Sequence, residues 1–311
     1  MDLNLGIKLN PFADSDLLFA QQLGVTHIIA DVPAWDYKTL ASASNRVEKS
    51  GLRMASLVCL PVEVMRDALL DPPACDFALE RVNEIITNAG ELGIPSVEYA
   101  LPYGYPKGAG EARSARGAAV SSHYLMPRSN RDIEFSVREV LWLRLSHFLQ
   151  CVLPTAEAAG VHLTFQTDSA TFTLPDENRI LDSTTELERL FQVAPSVYHG
   201  LDLDHGYLEL AIKGDTTSPM TDVIQHLGKQ TRILVVRLQN LRQTGDGFEG
   251  VFLDEDKVKV LHALRAYQAS GFAGTLCPIP AVVMTNDTAW QHKGIAFSVG
   301  YVRGLLQVLG G

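Results

Sequence analysis

The chain has 311 residues, 46% of them hydrophobic, with a formal net charge of −10; it can bury a large core, which excludes a disordered chain. The acidic balance argues against nucleic acid as the main partner, because phosphate binding needs clustered Lys and Arg. The N-terminus lacks the basic-then-apolar pattern of a signal peptide, no apolar run approaches the roughly 20 residues that span a bilayer, and Cys59, Cys75, Cys151 and Cys277 form no CxxC pair, so the expected setting is the cytoplasm, without a membrane partner.

Leu3 to Lys8 alternates and ends at Asn10-Pro11, a strand followed by a loop. Asp14 to Leu23 has helical spacing and stops at Gly24, a residue suited to a helix C-cap. Val25 to Ala30 is a second strand, and a helix from Tyr37 to Ser50 again stops at a glycine, Gly51. Met54 to Leu60, Cys75 to Leu92 and Ser96 to Leu101 continue as strand, helix and strand. Val137 to Ala159 is a long helix, Val161 to Gln166 a strand, and Ser183-Thr184-Thr185-Glu186 places a capping box before a helix reaching Phe191.

Tyr198 to Asp204 is the sixth strand, and Leu201 and Leu203 face away from Asp202 and Asp204 on it. Pro219 to Leu227 is helical, Arg232 to Leu238 is a nearly continuous apolar strand, and Asp256 to Ala269 is a helix closed by Ser270-Gly271. Thr275 to Ile279 is the eighth strand and Phe297 to Leu309 the last helix. Eight strand-helix units in order predict a single α/β domain over 1–311, a (β/α)8 TIM barrel whose chemistry lies at the C-terminal ends of the strands. Residues 102–132, after the fourth strand, read as a long active-site loop or lid. Its Gly108-Ala109-Gly110 lacks the Lys-Ser/Thr of a phosphate loop.

In the fifth and sixth units, Val161-His162-Leu163-Thr164-Phe165-Gln166-Thr167-Asp168 and Arg179-Ile180-Leu181-Asp182-Ser183-Thr184-Thr185-Glu186-Leu187 are similar to the corresponding segment of D-mannonate dehydratases. Those are sugar-acid lyases of the xylose-isomerase-like barrel superfamily. The likeness continues through His199 to Leu208, through Arg232 to Asn240, and through Gly300-Tyr301-Val302-Arg303-Gly304-Leu305. Ser114-Ala115-Arg116-Gly117 to His123-Tyr124 resembles the family's Arg-Gly active-site loop.

The resemblance implies a sugar-acid substrate and a manganese or iron ion held by residues that follow strands five to eight. At those positions this chain has Gln166, Asp204, Arg237 and Ile279. Only Asp204 is an ordinary ligand, Gln166 has a weak carbonyl oxygen, and Arg237 brings a permanent positive charge. The expectation is therefore no metal and no other cofactor, with Asp204 and Arg237 paired across neighbouring strands. That pair either fills a vacant metal site or lets Arg237 stabilise a substrate carboxylate or enolate.

Asp168 and His123 are the candidate proton-transfer residues beside Asp204 and Arg237. Gln166, Arg116, Tyr124, Asn240, Tyr103 and His205 are candidate substrate contacts. The reading that follows is a mannonate dehydratase-like lyase with altered, metal-independent chemistry. The alternatives are an inactive sugar-acid-binding barrel and a sugar isomerase or epimerase. Such a barrel can also serve as one protomer of a homo-oligomer.

Overall fold

The computed structural model describes residues 3–102, 111–125, 135–167, 184–206, 208, 220–245, 247–255 and 260–310, with the backbone alone for 111–114, 122–125, 135–137 and 184. Strands are numbered along the chain. Eight of them, β1 (Asn4–Leu9), β2 (His27–Ala30), β3 (Arg53–Leu57), β4 (Ser96–Tyr99), β7 (His162–Gln166), β8 (His199–Asp204), β9 (Ile233–Leu238) and β12 (Thr275–Pro278), close a parallel barrel in that cyclic order. This is the expected (β/α)8 architecture.

The pleat explains why the barrel closes. Leu201 and Leu203 of β8, Leu163 and Phe165 of β7, and Val236 and Leu238 of β9 point outward into one core shared with the surrounding helices. A smaller apolar cluster of Ile29, Val235 and Cys277, with Ala55, Val58 and Ile279 packed on it, is separate from that core. Each fully buried Leu or Phe contributes about 1.5–3 kcal/mol, so the outward faces drive closure.

Local signals set the element ends. Helix Asp14–Leu23 stops because Gly24 takes the left-handed conformation (φ 66°), which costs glycine nothing. Helix Tyr37–Lys49 begins where the Thr39 N–H donates to Asp36 Oδ1 at 3.0 Å. Between the third strand and the expected third helix the chain adds a further short helix, Val62–Ala68.

Within the segment 102–132, the described residues 111–125 form strands. These are β5 (Glu111–Ser114) and β6 (Val120–Leu125), which pair antiparallel. With β10 (Asn240–Gln243), β11 (Gly247–Val251) and β13 (Val282–Val283) they form a second, five-stranded sheet. Its strands follow β4, β9 and β12, so the sheet is assembled from connections that leave the C-terminal ends of barrel strands. Among the described residues no helix is long and apolar enough to cross a membrane.

Candidate active site

The inward faces of β4, β8 and β9 carry charge where a barrel interior is usually apolar. Asp204 of β8 lies in register with Arg237 of β9, as the strand order predicts. The guanidinium, however, is anchored one pleat lower. Arg237 Nε donates to Asp202 Oδ1 at 2.9 Å, and Nη2 donates to the Thr167 carbonyl. Nη1 stops 3.9 Å from Asp204 Oδ2, beyond hydrogen-bond reach. The long arginine stem makes this reach back possible.

Asp204 is held separately. Gln239 donates its amide to Oδ2, and the Asp204 N–H donates to Thr167 Oγ1 at 2.8 Å. Gly206 keeps the turn after it tight, since a Cβ there would meet the Gln239 carbonyl at 2.9 Å. Both aspartate side chains are 1% exposed, whereas Arg237 is 13% exposed. The base of the mouth therefore holds a guanidinium with donors to spare beside a carboxylate fixed in place.

Glu98 of β4 completes the cluster and is a residue the sequence reading missed. It is buried, and its Oε1 has no hydrogen-bond partner among the described residues, like Oδ2 of Asp202. Burial and the Asp202 charge raise its pKa well above the usual carboxyl range, against the pull of Arg237. Burial also raises Asp202, and Arg237 opposes it. For Arg237 itself, burial disfavours the charge, but Asp202, Asp204 and Glu98 outweigh that and hold it charged.

The Glu98 shift has a consequence for stability. The folded protein holds this proton more tightly than the unfolded chain, so its contribution is complete below the ordinary carboxyl pKa. It is lost as pH rises through the raised folded value, at up to about 1.4 kcal/mol per pH unit. Glu98→Gln is expected to remove that slope, and urea unfolding across pH 4 to 8 measures it.

The other sequence-derived candidates divide. Gln166 is at the mouth, where the Cys59 thiol contacts its Oε1 at 2.7 Å. Asn240 is fully buried, and its amide donates to the Phe252 carbonyl at 2.9 Å and to that of Glu255, which makes it a strut for the second sheet instead of a substrate contact. His205 is buried against Tyr267, with Nδ1 3.0 Å from the hydroxyl, and burial lowers its pKa to about 4. It is a neutral core histidine. His199 likewise contacts Tyr99 at 2.8 Å, on the outward face of β8.

Arg116 is spent on a bidentate pair with Asp254, 2.9 Å at each contact, and stacks 4.4 Å over the Phe252 ring. Because that pair is solvent-exposed, Arg116→Ala is expected to cost roughly 1 kcal/mol in a thermal melt, and to change kcat by less than about twofold. His123 and Tyr124 lie in β6, opposite Glu249 and Phe248, with only their backbone described. Asp168 and Tyr103 lie outside the described residues. Lys8, at the end of β1 and 3.5 Å from Asp31, is a second cation that the sequence reading did not single out. Its charge also acts on Glu98 and Asp202.

The implied manganese or iron does not fit the four positions that would hold it. Gln166 offers one neutral oxygen, Ile279 packs with Cys277 in the apolar cluster, and Arg237 carries fixed positive charge beside Asp204. Among the described residues no group of three or more His, Cys, Asp or Glu is arranged to hold a metal ion.

Comparison with known proteins gives this barrel its relatives. Residues 130–310 match the family model described as D-mannonate dehydratase (UxuA). Mannonate dehydratase 2 of Halalkalibacterium halodurans is 24% identical over 323 aligned residues, which cover 92% of each chain. The crystal structure of mannonate dehydratase from Streptococcus suis superposes with a TM-score of 0.80 at 19% identity, covering 99% of this chain and 93% of the other. A xylose isomerase domain protein from Planctomyces limnophilus follows at 0.66 and 13% identity, covering 99% and 98%. The family model takes in β7, β8, β9 and β12, the strands that carry most of the charged cluster, and by that match the chain belongs to the D-mannonate dehydratase family.

Proposed function

We propose that this protein is a sugar-acid lyase that dehydrates an aldonate, with Arg237 and Asp204 at the reacting centre. The observation that supports it is the spare Nη1 of Arg237, 3.9 Å from a carboxylate oxygen. An aldonate is dehydrated by removing the proton beside its carboxylate and expelling the hydroxyl on the next carbon. The first step needs a base and a positive charge a few ångströms apart, because the proton and the carboxylate that takes up the negative charge are on adjacent atoms.

In this reading Nη1 binds the substrate carboxylate, and Lys8 adds charge at the rim. Asp204 accepts the C2 proton, the C–H electron pair forms the C2–C3 double bond, and the C3 hydroxyl leaves as water with a proton from a general acid. Asp168 and His123 are the candidates for that donor. The enol then takes a solvent proton at C3 and becomes a 2-keto-3-deoxy acid.

An inactive plug would have every guanidinium donor engaged, whereas Nη1 donates to no described residue. A sugar isomerase would want carboxylates at the positions of Gln166 and Ile279. Mass spectrometry after incubation with D-mannonate and a panel of other aldonates tests the reading. The expected product is the substrate less one water. Unchanged aldonates together with epimerised neutral ketoses would refute it.

A further inference from the structure

We propose that Arg237 is the resident cation of this barrel, a covalently built-in charge that occupies the place of a divalent ion and makes the chain independent of metal. Asp202 and Asp204 lie 2.9 and 3.9 Å from one guanidinium, the charge of Glu98 also acts on it, and all three acidic side chains are buried. Converging hard oxygens are what a divalent ion seeks. Here their centre is filled, and the filling group is locked by Asp202 on Nε and by the Thr167 carbonyl on Nη2.

A metal ion at Asp204 would lie beside a permanent positive charge, with an amide at Gln166 and a hydrocarbon at Ile279 in place of further ligands. Glu98 Oε1 and Asp202 Oδ2, both buried and without a hydrogen-bond partner among the described residues, show how many acceptors the guanidinium must serve. Taking the guanidinium away would leave these acids with only the charge of Lys8 to oppose theirs. The exclusion of metal stands on this geometry alone. The further claim, that the same charge serves an anionic substrate, rests on the sugar-acid reading.

The test is calorimetric titration of chelator-treated protein with MnCl2, using the wild type, Arg237→Ala and Arg237→Lys. The wild type and the lysine variant, which keeps a cation, are expected to show no stoichiometric site. With the repelling charge gone, the alanine variant is expected to bind Mn2+ at least about tenfold more tightly than the wild type, and to melt at a higher temperature with Mn2+ present. One tight Mn2+ in the wild type overturns the proposal, as does a folded alanine variant that gains no affinity.

If the alanine variant does not fold, the wild-type titration decides. D-mannonate titrated into the wild type in chelator separates the two claims. Binding that appears only after Mn2+ is added overturns the resident cation. Absence of binding under both conditions, with Mn2+ still excluded, overturns the sugar-acid reading alone.

Discussion

Replacing Arg237 by alanine is expected to lower kcat/KM for the sugar acid by about a hundredfold to a thousandfold, the usual loss when one preorganised charge is removed from a developing anion. The same substitution is expected to cost roughly 3–5 kcal/mol of stability, because Asp202 and Asp204 are then buried without their cation. Arg237→Lys should recover part of the stability, since it restores the charge. It should recover little of the activity, because an ammonium cannot hold Asp202 and the Thr167 carbonyl while leaving a donor for substrate. Urea unfolding and steady-state kinetics on the two variants measure both effects.

The second large effect separates the two aspartates, which the strand pleat places on the same face two residues apart. Asp204→Asn is expected to lower kcat by about a hundredfold to ten-thousandfold, since an amide cannot accept the C2 proton. Its stability should change by only about 1 kcal/mol, because the Gln239 contact can be kept by an amide oxygen. Asp202→Asn should show the reverse balance. It removes the charged acceptor of Arg237 Nε and costs about 2 kcal/mol, while the base is untouched. Equal kinetic losses from both variants would place the base at neither residue alone.

The barrel was legible because its signals are local. Alternation marks the strands, and glycines in the left-handed conformation, Gly24, Gly51, Gly93, Gly160 and Gly271, close the units where the sequence reading ends a helix or its following turn. The register of Asp204 with Arg237 was legible too, because neighbouring parallel strands put equivalent ends side by side. What it did not convey is that a long side chain can bond one pleat below its own level, so Asp202 takes the stronger contact.

Glu98 left a signal that went unused, a carboxylate between Val97 and Tyr99 on a strand whose neighbours are core residues. Other candidates turn out to have partners that the sequence does not reveal. Arg116, Asn240 and His205 are polar residues near the ends of strands or turns, and their partners Asp254, Phe252 and Tyr267 come from elsewhere in the chain. Only the folded chain shows that those side chains are already occupied. The second sheet was hidden in the same way, because β6, β11 and β13 each find their partners across separate barrel connections.

The measurement that bears most directly on the account is mass spectrometry of the product formed from D-mannonate by chelator-treated protein in heavy water. A base at Asp204 and a resident cation at Arg237 predict an acid that has lost one water and carries one solvent deuteron at C3, formed at the same rate with or without added Mn2+. Recovery of intact D-mannonate, or product that appears only when Mn2+ is returned, would contradict it.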